Sequence, residues 1–311
     1  MKKLISIASG CFNEKDNLED FYLRCRAVLD KHPEYDYEFV IADNCSTDGS
    51  KEVLRNLAAR DPHFRVILNA RNFGHIRSPY NAVLNSQGDA VVSICSDLQD
   101  PPEVVEDFLK QWESGYKVVV GVRTGTKCSP VVELLRKTYY WLLSKSSEGE
   151  QLVSMFTGFG LYDRKFIEAL KLYHEPYPYF RGLVSEIGFA RAEVPFVQAK
   201  RMHGVTKNNW FTLYDMAMTG FVNHTKLPLR LATATGFVIA MFSFLVAIFY
   251  FGYKLAHWHS FELGLAPLVI GMFLLSGIQL IFLGVLGEYL GAIWTQVKNR
   301  PLVIEAERIN F

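Results

Sequence analysis

The sequence lacks both a strong excess of charge and any pattern of paired cysteines. The formal net charge of the 311 residues is +1, whereas domains that follow nucleic-acid phosphates usually carry a marked basic excess. Nucleic acid is therefore not an expected partner. No CxxC pair and no disulfide framework is present, which fits a reducing compartment. The cysteines are Cys11, Cys25, Cys45, Cys95 and Cys128.

Two stretches near the C-terminus lack charge altogether. They run from Leu231 to Tyr253 and from Leu263 to Leu286. Each reaches the roughly 20 residues that a helix needs to cross the hydrocarbon core of a bilayer. Only "KLAHWHSFE" connects them, so the outer ends of the two spans should lie on the same side. We predict a two-helix transmembrane hairpin with spans at about 231–253 and 263–286.

The basic residues that flank the spans predict the orientation of the hairpin. Lys226 and Arg230 precede the first span and Lys298 and Arg300 follow the second, whereas the connecting loop offers Lys254. An excess of Lys and Arg marks the cytoplasmic side. The opening "MKKLISIASGCFNE" has too short an apolar stretch for a signal peptide. We therefore expect a multi-pass protein of the inner (plasma) membrane with both termini in the cytosol.

The first 230 residues alternate short apolar runs with helical patterns, which predicts an α/β fold with a mostly parallel sheet covered on both faces. The predicted strands are 4–9, 37–42, 64–68, 90–95 and 117–122. The predicted helices are Leu18 to Leu29, Lys51 to Ala59, Ser78 to Ser86, and Glu103 to Trp112.

Capping residues are predicted for two of these helices. Ser46 and Thr47 are expected to cap the second helix, and Asp100 the fourth. Pro101 and Pro102 suit the first turn of that fourth helix, where a missing N–H costs nothing.

Polar motifs follow four of the predicted strands. They read "CFNEKDN", "ADNCSTDGS", "NARNFGH" and "SDLQDPPE" in chain order. Ligands of open parallel sheets bind at the carboxyl ends of the strands, so the four motifs together predict a binding site. In the third motif we expect Gly74 to adopt a positive φ and His75 to shape the loop rather than act as a base.

These motifs, with "YFRGL", "GVTKNN", "PLRLAT" and "GEYLGAIWTQVKNRP" further along, resemble the polyprenyl-phosphate glycosyltransferases of glycosyltransferase family 2. The resemblance covers nearly the whole chain, in order. It implies a GT-A fold and inverting transfer of a sugar from a nucleotide sugar to a lipid phosphate such as undecaprenyl phosphate. It also implies Mg²⁺ or Mn²⁺ as cofactor, and a homo-oligomer such as a tetramer is plausible on the same ground.

The resemblance also implies roles for individual residues. Asp97 would hold the metal, with Gln99 as a second oxygen ligand. Arg201 and Lys207 would lie on a loop that closes on the diphosphate, and together with Asp97 they form the predicted catalytic set. The remaining expectations are Phe12 and Glu14 in the nucleotide pocket, Asp43 as acceptor of a hydrogen bond from the base, and Arg123 and Arg136 at the acceptor phosphate.

The sequence departs from the family pattern at five positions. Cys95 and Asn44 stand where the family has Asp, and Gly10 stands where proline is common. In "TGFGLYDR", Gly158 and Gly160 replace an Asp and an Arg. A thiol is a poor ligand for hard cations, so we expect Cys95 to be a small packing residue.

The chemistry tolerates these departures. One carboxylate and one amide oxygen can hold Mg²⁺ when substrate phosphates supply further ligands. A phosphate monoester, with a second pKa of about 6, is largely dianionic at pH 7 and needs no base to become a nucleophile. The loss of an acid at Gly158 therefore weighs mildly against an alcohol acceptor.

Two other functions stay open from the sequence, namely transfer to a different lipid or glycan hydroxyl and non-catalytic binding of a nucleotide sugar or lipid. The expected layout is a GT-A domain at 1–208, an interfacial helix at 209–230, the hairpin at 231–287 and a tail at 288–311. The aromatic residues between Trp210 and Phe221 favour a helix that lies on the membrane.

Overall fold

The computed structural model describes residues 2–124, 156–199, 226–257 and 265–311. The strands are β1 (Lys3–Cys11), β2 (Tyr35–Asp43), β3 (Phe64–Asn69), β4 (Ala90–Ser93), β5 (Val118–Arg123), β6 (Phe156–Asp163), β7 (Arg191–Phe196) and β8 (Glu305–Ile309). The helices are α1 (Lys15–Leu29), α2 (Ser50–Arg60), α3 (Gly74–Asn85), α4 (Val105–Glu113), α5 (Arg164–Lys171), α6 (Phe180–Glu186), α7 (Leu227–Ala256) and α8 (Leu265–Val297), with a 3₁₀ turn at Pro102–Val104.

The strands form one mixed sheet in the order β7-β5-β6-β4-β1-β2-β3-β8. Its centre, β4-β1-β2-β3, is parallel, as is the pair β5 and β7. β6 runs antiparallel to both of its neighbours, and β8 runs antiparallel to β3. The five predicted strands are confirmed, whereas β6, β7 and β8 were not predicted. The carboxyl ends of the central strands meet at one edge, where the polar motifs lie.

Helices cover both faces of the sheet, as predicted. Successive residues of a strand point to opposite faces, so Ile5 and Ile7 pack under α1, α2 and α4, while Ala8 faces α3. Phe39 anchors the first core, and Tyr162 anchors the second beneath α3, α5 and α6. Both side chains are 0% exposed, and burial of an aromatic ring of this size contributes about 1.5–3 kcal/mol.

The predicted caps of two helices are wrong. α2 begins at Ser50 after Gly49, which has φ 97°, and no side chain caps it. The 3₁₀ turn that leads into α4 follows Pro101 and also lacks a side-chain cap. Asp100 instead lies buried, and its Oδ1 has no hydrogen-bond partner among the described residues. A buried carboxylate oxygen of this kind is costly unless it serves another purpose.

α7 and α8 are long, apolar and in contact with each other. By length and composition they are two candidate membrane spans, Leu227–Tyr253 and Gly271–Val297. Both helices extend beyond the predicted spans. The predicted interfacial helix between Trp210 and Phe221 lies outside the described residues.

After α8 the chain returns to the sheet as β8, the edge strand beside β3. Val66 pairs with Ile309 in the ladder. Asn310 Nδ2 then donates to the carbonyl oxygens of Ala58 (2.8 Å) and Phe64 (3.0 Å). The C-terminal segment is therefore part of the same α/β body as the N-terminal strands.

Candidate active site

The loops that follow β1 and β2 are joined by hydrogen bonds. The N–H of Asn13 donates to Ser46 Oγ (2.9 Å), and the N–H of Glu14 donates to Ser50 Oγ (3.0 Å). Asn13 Oδ1 accepts the N–H of Thr47 at 2.9 Å. The serine and threonine of "STDGS" thus hold the first loop instead of capping α2, and they fix the backbone that carries Glu14.

Asn44 connects the loop after β2 to the loop after β3. Its Nδ2 donates to Asn72 Oδ1 (2.8 Å) and to the Gly74 carbonyl (3.0 Å), while its Oδ1 accepts the N–H of Phe73 (2.8 Å). An aspartate could not make the two donations, so the departure from the family residue at this position has a structural use. Gly74 has φ 91°, which confirms the predicted positive φ.

Asp97 stands just beyond the end of β4. Its Oδ1 accepts the N–H of Gln99 at 3.2 Å, and Leu98 between them has φ 58°. The carbonyl of Gln99 accepts the N–H of Ala199 at 3.0 Å. This tight turn places the Asp97 carboxylate, which is 8% exposed, at the edge of a cavity.

Two adjoining cavities open at this edge of the sheet. The first, about 560 Å³ with its open mouth, is lined by Phe12, Glu14, Asn44 and Asp97 among others. The second, about 870 Å³ with its mouth, is more apolar and reaches between β6, α3 and α6. Four residues line both cavities: Gly10, His75, Pro79 and Cys95. Contributors to the second cavity alone include Tyr80, Asp100, Thr157, Gly158, Phe180 and Arg181.

Opposite charges meet beside the second cavity. Burial raises the pKa of Asp100 to about 6, although the nearby Arg123 charge acts in the opposite direction and the Asp97 charge adds to the rise. Burial also lowers the pKa of Arg123, with Asp100 opposing and the like charge of Arg181 adding to the fall. Asp97, Asp100, Arg123 and Arg181 are therefore near enough to interact electrostatically.

The residues that form this mixed α/β sheet and its two adjoining cavities match a known family. Residues 6–171, more than half of the chain, match the family model described as glycosyl transferase family 2. The chain belongs to this family. It is a glycosyltransferase, and its sheet is of the GT-A type.

Two relatives extend the similarity over nearly the whole glycosyltransferase. A Bacillus subtilis (strain 168) protein named uncharacterized glycosyltransferase YkcC is 35% identical over 96% of this chain and 92% of its own length. The SfII prophage-derived bactoprenol glucosyl transferase of Shigella flexneri is 32% identical over 96% of each.

A solved structure of mannosyltransferase PcManGT from Pyrobaculum calidifontis, in complex with GDP-Man and Mn²⁺, is similar with a TM-score of 0.49 and 15% identity. The match covers 96% of this chain and 86% of that one.

The structure brings several predicted site residues of the glycosyltransferase together. Phe12, Glu14 and Asp97 line the first cavity. Gln99 lies two residues from Asp97 but is not among the described lining residues. Asp43 is 0% exposed and does not line the cavity; its Oδ2 accepts the N–H of Ser46 at 3.0 Å. Its predicted contact with a base stays a prediction.

Arg123 lies at the end of β5 near Asp100, and its role at the acceptor phosphate stays a prediction. Arg136, Arg201 and Lys207 lie outside the described residues, so their predicted roles stay predictions. Ala199, bonded to the Gln99 carbonyl, is the last described residue before the segment that contains Arg201.

The expected packing role of Cys95 is wrong. Although many atoms surround this position, the side chain is exposed and lines both cavities. The absence of proline at Gly10 has a clear cause, because a Cβ there would lie 2.5 Å from Pro79 Cγ. The ring of Pro79 in α3 occupies the space that a side chain at position 10 would need.

The chemistry of the described residues fits a divalent cation that is shared with a substrate. No group of three or more His, Cys, Asp or Glu in the described part of the chain could hold a metal ion by itself. Asp97 offers hard oxygen atoms at the edge of the first cavity, with Gln99 two residues further along the chain, and Mg²⁺ is commonly bound by one or two carboxylates plus substrate phosphates. The set present is therefore sufficient only together with a phosphorylated ligand.

Two residues of the site were missed from the sequence. Asp100 was assigned to a cap because it precedes Pro101, and nothing in its spacing indicates burial beside Arg123. Arg181 belongs to the motif "YFRGL", but it lies on α6 and not at the end of a strand, where ligands of open α/β sheets usually bind. The arginine inside an otherwise aromatic and apolar stretch was the available signal.

Proposed function

We propose that this glycosyltransferase moves a sugar from a nucleotide-sugar donor to a polyprenyl phosphate, with undecaprenyl phosphate the expected lipid, at the cytosolic face of the membrane. The observation that carries the proposal is the pair of adjoining cavities, the first with Asp97 at its edge and the second apolar with arginines beside it. A nucleotide diphosphate suits the first cavity, and an amphiphilic phosphate suits the second. The name of the Shigella flexneri relative supports the same acceptor.

In the proposed reaction, an oxygen of the acceptor phosphate attacks the anomeric carbon while the bond from that carbon to the donor diphosphate breaks. A single displacement inverts the anomeric centre. Asp97 and Gln99 would hold Mg²⁺ or Mn²⁺, which offsets the charge that develops on the diphosphate. Arg201 and Lys207 would add positive charge there on closure.

The glycine at position 158 suits a phosphate nucleophile. A sugar or lipid hydroxyl has a high pKa and needs a base, whereas a phosphate dianion does not. We assign the acceptor phosphate to Arg123 and Arg136, since the planar fork of arginine binds such oxygens in a bidentate manner. Phe12, Glu14 and Asp43 are assigned to the nucleotide.

The hairpin would hold this edge of the sheet at the height of lipid phosphates. β8 and the N-terminal strands share one sheet, which supports a topology with both ends of the hairpin on the cytosolic side. We retain the layout with a catalytic domain at 1–208, an interfacial helix at 209–230, the hairpin at 231–287 and a tail at 288–311, except that the tail contributes β8. A homo-oligomer, for instance a tetramer, also remains a proposal.

The test incubates the full-length protein in lipid nanodiscs with a panel of UDP-, GDP-, CMP- and dTDP-sugars, polyprenyl phosphate, and Mg²⁺ or Mn²⁺. A glycolipid should form with one donor class, require the cation, and disappear in Asp97→Ala. The matched control is Asp107→Ala, since Asp107 is an exposed aspartate on α4.

Three outcomes would count against the proposal. Product with an alcohol acceptor but not with polyprenyl phosphate would favour transfer to a hydroxyl. Tight donor binding without turnover for any acceptor would favour a non-catalytic binding protein. Undiminished activity in Asp97→Ala would remove the metal assignment.

A further inference from the structure

The position of Arg181 is fixed by its neighbour in the chain. Phe180 at the start of α6 packs edge-on against Tyr80 (ring centroids 6.0 Å apart) and Tyr162 (5.1 Å apart). The N–H of Gly182 donates to the Tyr179 carbonyl at 2.8 Å. These contacts hold the first turn of α6 against β6, so the half-buried Arg181 lines the second cavity.

The guanidinium groups of Arg123 and Arg181 have no salt-bridge partner in the described part of the chain, although the charge of Asp100 acts on Arg123 from nearby. Neither forms a salt bridge or a hydrogen bond with another described residue, and the Nε of Arg123 is buried without an acceptor. Their like charges act on each other. Arg181 lines the second cavity, and Arg123 lies near enough for the two charges to interact. Holding two guanidinium groups near each other in partly buried positions costs free energy, and an anion between them would offset that cost.

A third donor faces the same space. Thr157 lines the second cavity, and its Oγ1 is buried with no hydrogen-bond partner among the described residues. Next to it, Gly158 offers no side chain. A Cβ at Gly158 would have Phe180, the residue before Arg181, as its nearest neighbour at 3.7 Å, and the glycine places no acid at this wall of the cavity. The glycine leaves the arginine charge available.

We propose that Arg181 is a second phosphate-binding arginine of the acceptor site and that it acts with Arg123. Two arginines and a hydroxyl can donate to several oxygens of a phosphate monoester at once. The apolar wall formed by Ile76, Pro79, Tyr80 and Phe180 then accommodates the carbon chain next to the phosphate. The ligand is an isoprenyl monophosphate, recognised by charge at one end and apolar contact at the other.

A sugar hydroxyl fits these groups less well than a phosphate. Sugar hydroxyls both donate and accept, whereas arginine only donates. Asp100 is the carboxylate that faces Arg123. Among the described residues, no carboxylate forms a salt bridge with Arg181, so the charge of Arg181 is available to a phosphate. The inference deepens the proposed function by naming a residue that selects its acceptor, and it rests on that function.

The experiment measures ligand binding without a sugar donor. The full-length protein in nanodiscs is titrated calorimetrically with farnesyl phosphate, farnesol and inorganic phosphate. The wild type should bind farnesyl phosphate more tightly than inorganic phosphate, and farnesol weakly. Arg181→Ala should weaken the binding of farnesyl phosphate about tenfold to a hundredfold, as expected for a lost charge-assisted hydrogen bond. The affinity of Arg181→Lys should lie between those of the wild type and Arg181→Ala.

The matched control is Arg60→Ala, which removes an exposed arginine paired with Glu19 on another face and should bind like the wild type. In the transfer assay, Arg181→Ala should raise the KM for the acceptor and leave the KM for the donor unchanged. Equal binding of farnesyl phosphate by wild type and Arg181→Ala overturns the inference, as does a rise confined to the donor KM. If inorganic phosphate binds as tightly as farnesyl phosphate, the site recognises a free anion and not a lipid.

The two proposals fail separately. Absence of glycolipid from every donor would count against the proposed function, while the binding series would still report on Arg181. Glycolipid synthesis with unchanged acceptor KM in Arg181→Ala would keep the function and remove the assignment of Arg181.

Discussion

At the scale of single residues, two glycines of β6 are required for different reasons. Gly158 has φ 102°, a conformation that side chains rarely adopt, but a Cβ there has room. Gly160 has no such φ, yet its Cβ would lie 2.4 Å from the Val119 carbonyl oxygen. The arginine that the family carries at position 160 therefore cannot be accommodated by this backbone.

We expect Gly160→Ala to lower the free energy of unfolding by about 2–3 kcal/mol, because overpacking against the backbone forces the strands apart. Gly158→Ala should cost about 1 kcal/mol, through backbone strain alone. Thermal unfolding in detergent measures both. Gly115→Ala is the control for strain, since Gly115 has φ 103° with nothing near its Cβ. If Gly158→Ala and Gly160→Ala lost the same free energy of unfolding, close packing of Gly160 against the Val119 carbonyl would not be the cause.

Asn44 offers a second test at this scale. Asn44→Asp should destabilise the protein by about 1–3 kcal/mol and raise the donor KM, because the carboxylate cannot donate to Asn72 and Gly74 and the loop that lines the first cavity loosens. Thermal unfolding and donor kinetics report the two effects. An unchanged donor KM would show that this loop does not shape the donor site.

Asp163 provides a test by pH. Burial raises the pKa of its carboxyl group. Hydrogen bonds from the Trp112 side chain, the N–H of Lys165 and the Lys117 side chain lower this pKa by more, so the pKa lies below its ordinary value. A lowered folded-state pKa stabilises the protein above the unfolded pKa of about 3.9, and the contribution is lost as the pH falls through the folded value.

Asp163→Asn should therefore be less stable than the wild type by about 2 kcal/mol at pH 7. The difference should shrink as the pH falls below about 4. Denaturant unfolding across this range measures it, with exposed Asp107→Asn as control. A difference that stays constant with pH would mean that the carboxylate charge has no part in it.

At the scale of secondary structure, the C-terminal strand secures an exposed edge. β8 covers β3, and the guanidinium of Arg55 holds Glu307 through two hydrogen bonds of 2.7 and 2.5 Å. Asn310 adds its donations to backbone carbonyls and has φ 62°. An unpaired edge strand invites aggregation, so β8 protects the sheet.

Two substitutions of Asn310 distinguish the contribution of its backbone conformation to stability from the contribution of its hydrogen bonds. Asn310→Gly keeps the positive φ but loses the donations, and should cost about 1 kcal/mol. Asn310→Ala loses both and should cost about 1 kcal/mol more. Thermal unfolding and light scattering would follow stability and aggregation. Equal stability of the two variants would mean that the backbone conformation at this residue is unimportant.

The strands differ in how well the sequence predicts them, for physical reasons. β1 to β5 are apolar because helices bury both of their faces, so each is a clear apolar run. β6, "FTGFGLYD", contains two glycines, and β8, "EAERI", is a charged edge strand whose outer groups face water. Neither carries the pattern of a buried strand. The motifs at strand ends located Glu14 and Asp97, but Arg181 reaches the cavity from a helix and required the tertiary structure.

At the scale of the whole molecule, the proposed orientation of the hairpin in the membrane can be tested by chemical labelling. In cells whose plasma membrane is intact and accessible from outside, an impermeant maleimide should label Ser260→Cys in the loop between the spans. It should not label Ala306→Cys, which lies in β8, because the proposed topology places β8 in the cytosol. The wild type is the control, since its cysteines all precede the first span and should stay unlabelled. Labelling of Ala306→Cys in intact cells would reverse the orientation.

The pairing of β3 with β8 has a consequence for biosynthesis. Val66 emerges from the ribosome long before its partner Ile309, because α7 and α8 lie between them in the chain. The flank of β3 stays unpaired until both apolar helices have been synthesised. A contact this distant in sequence forms slowly, and the nascent enzyme is vulnerable to chaperone capture or proteolysis during that interval. Pairing of β8 with β3 therefore depends on synthesis of the whole apolar hairpin.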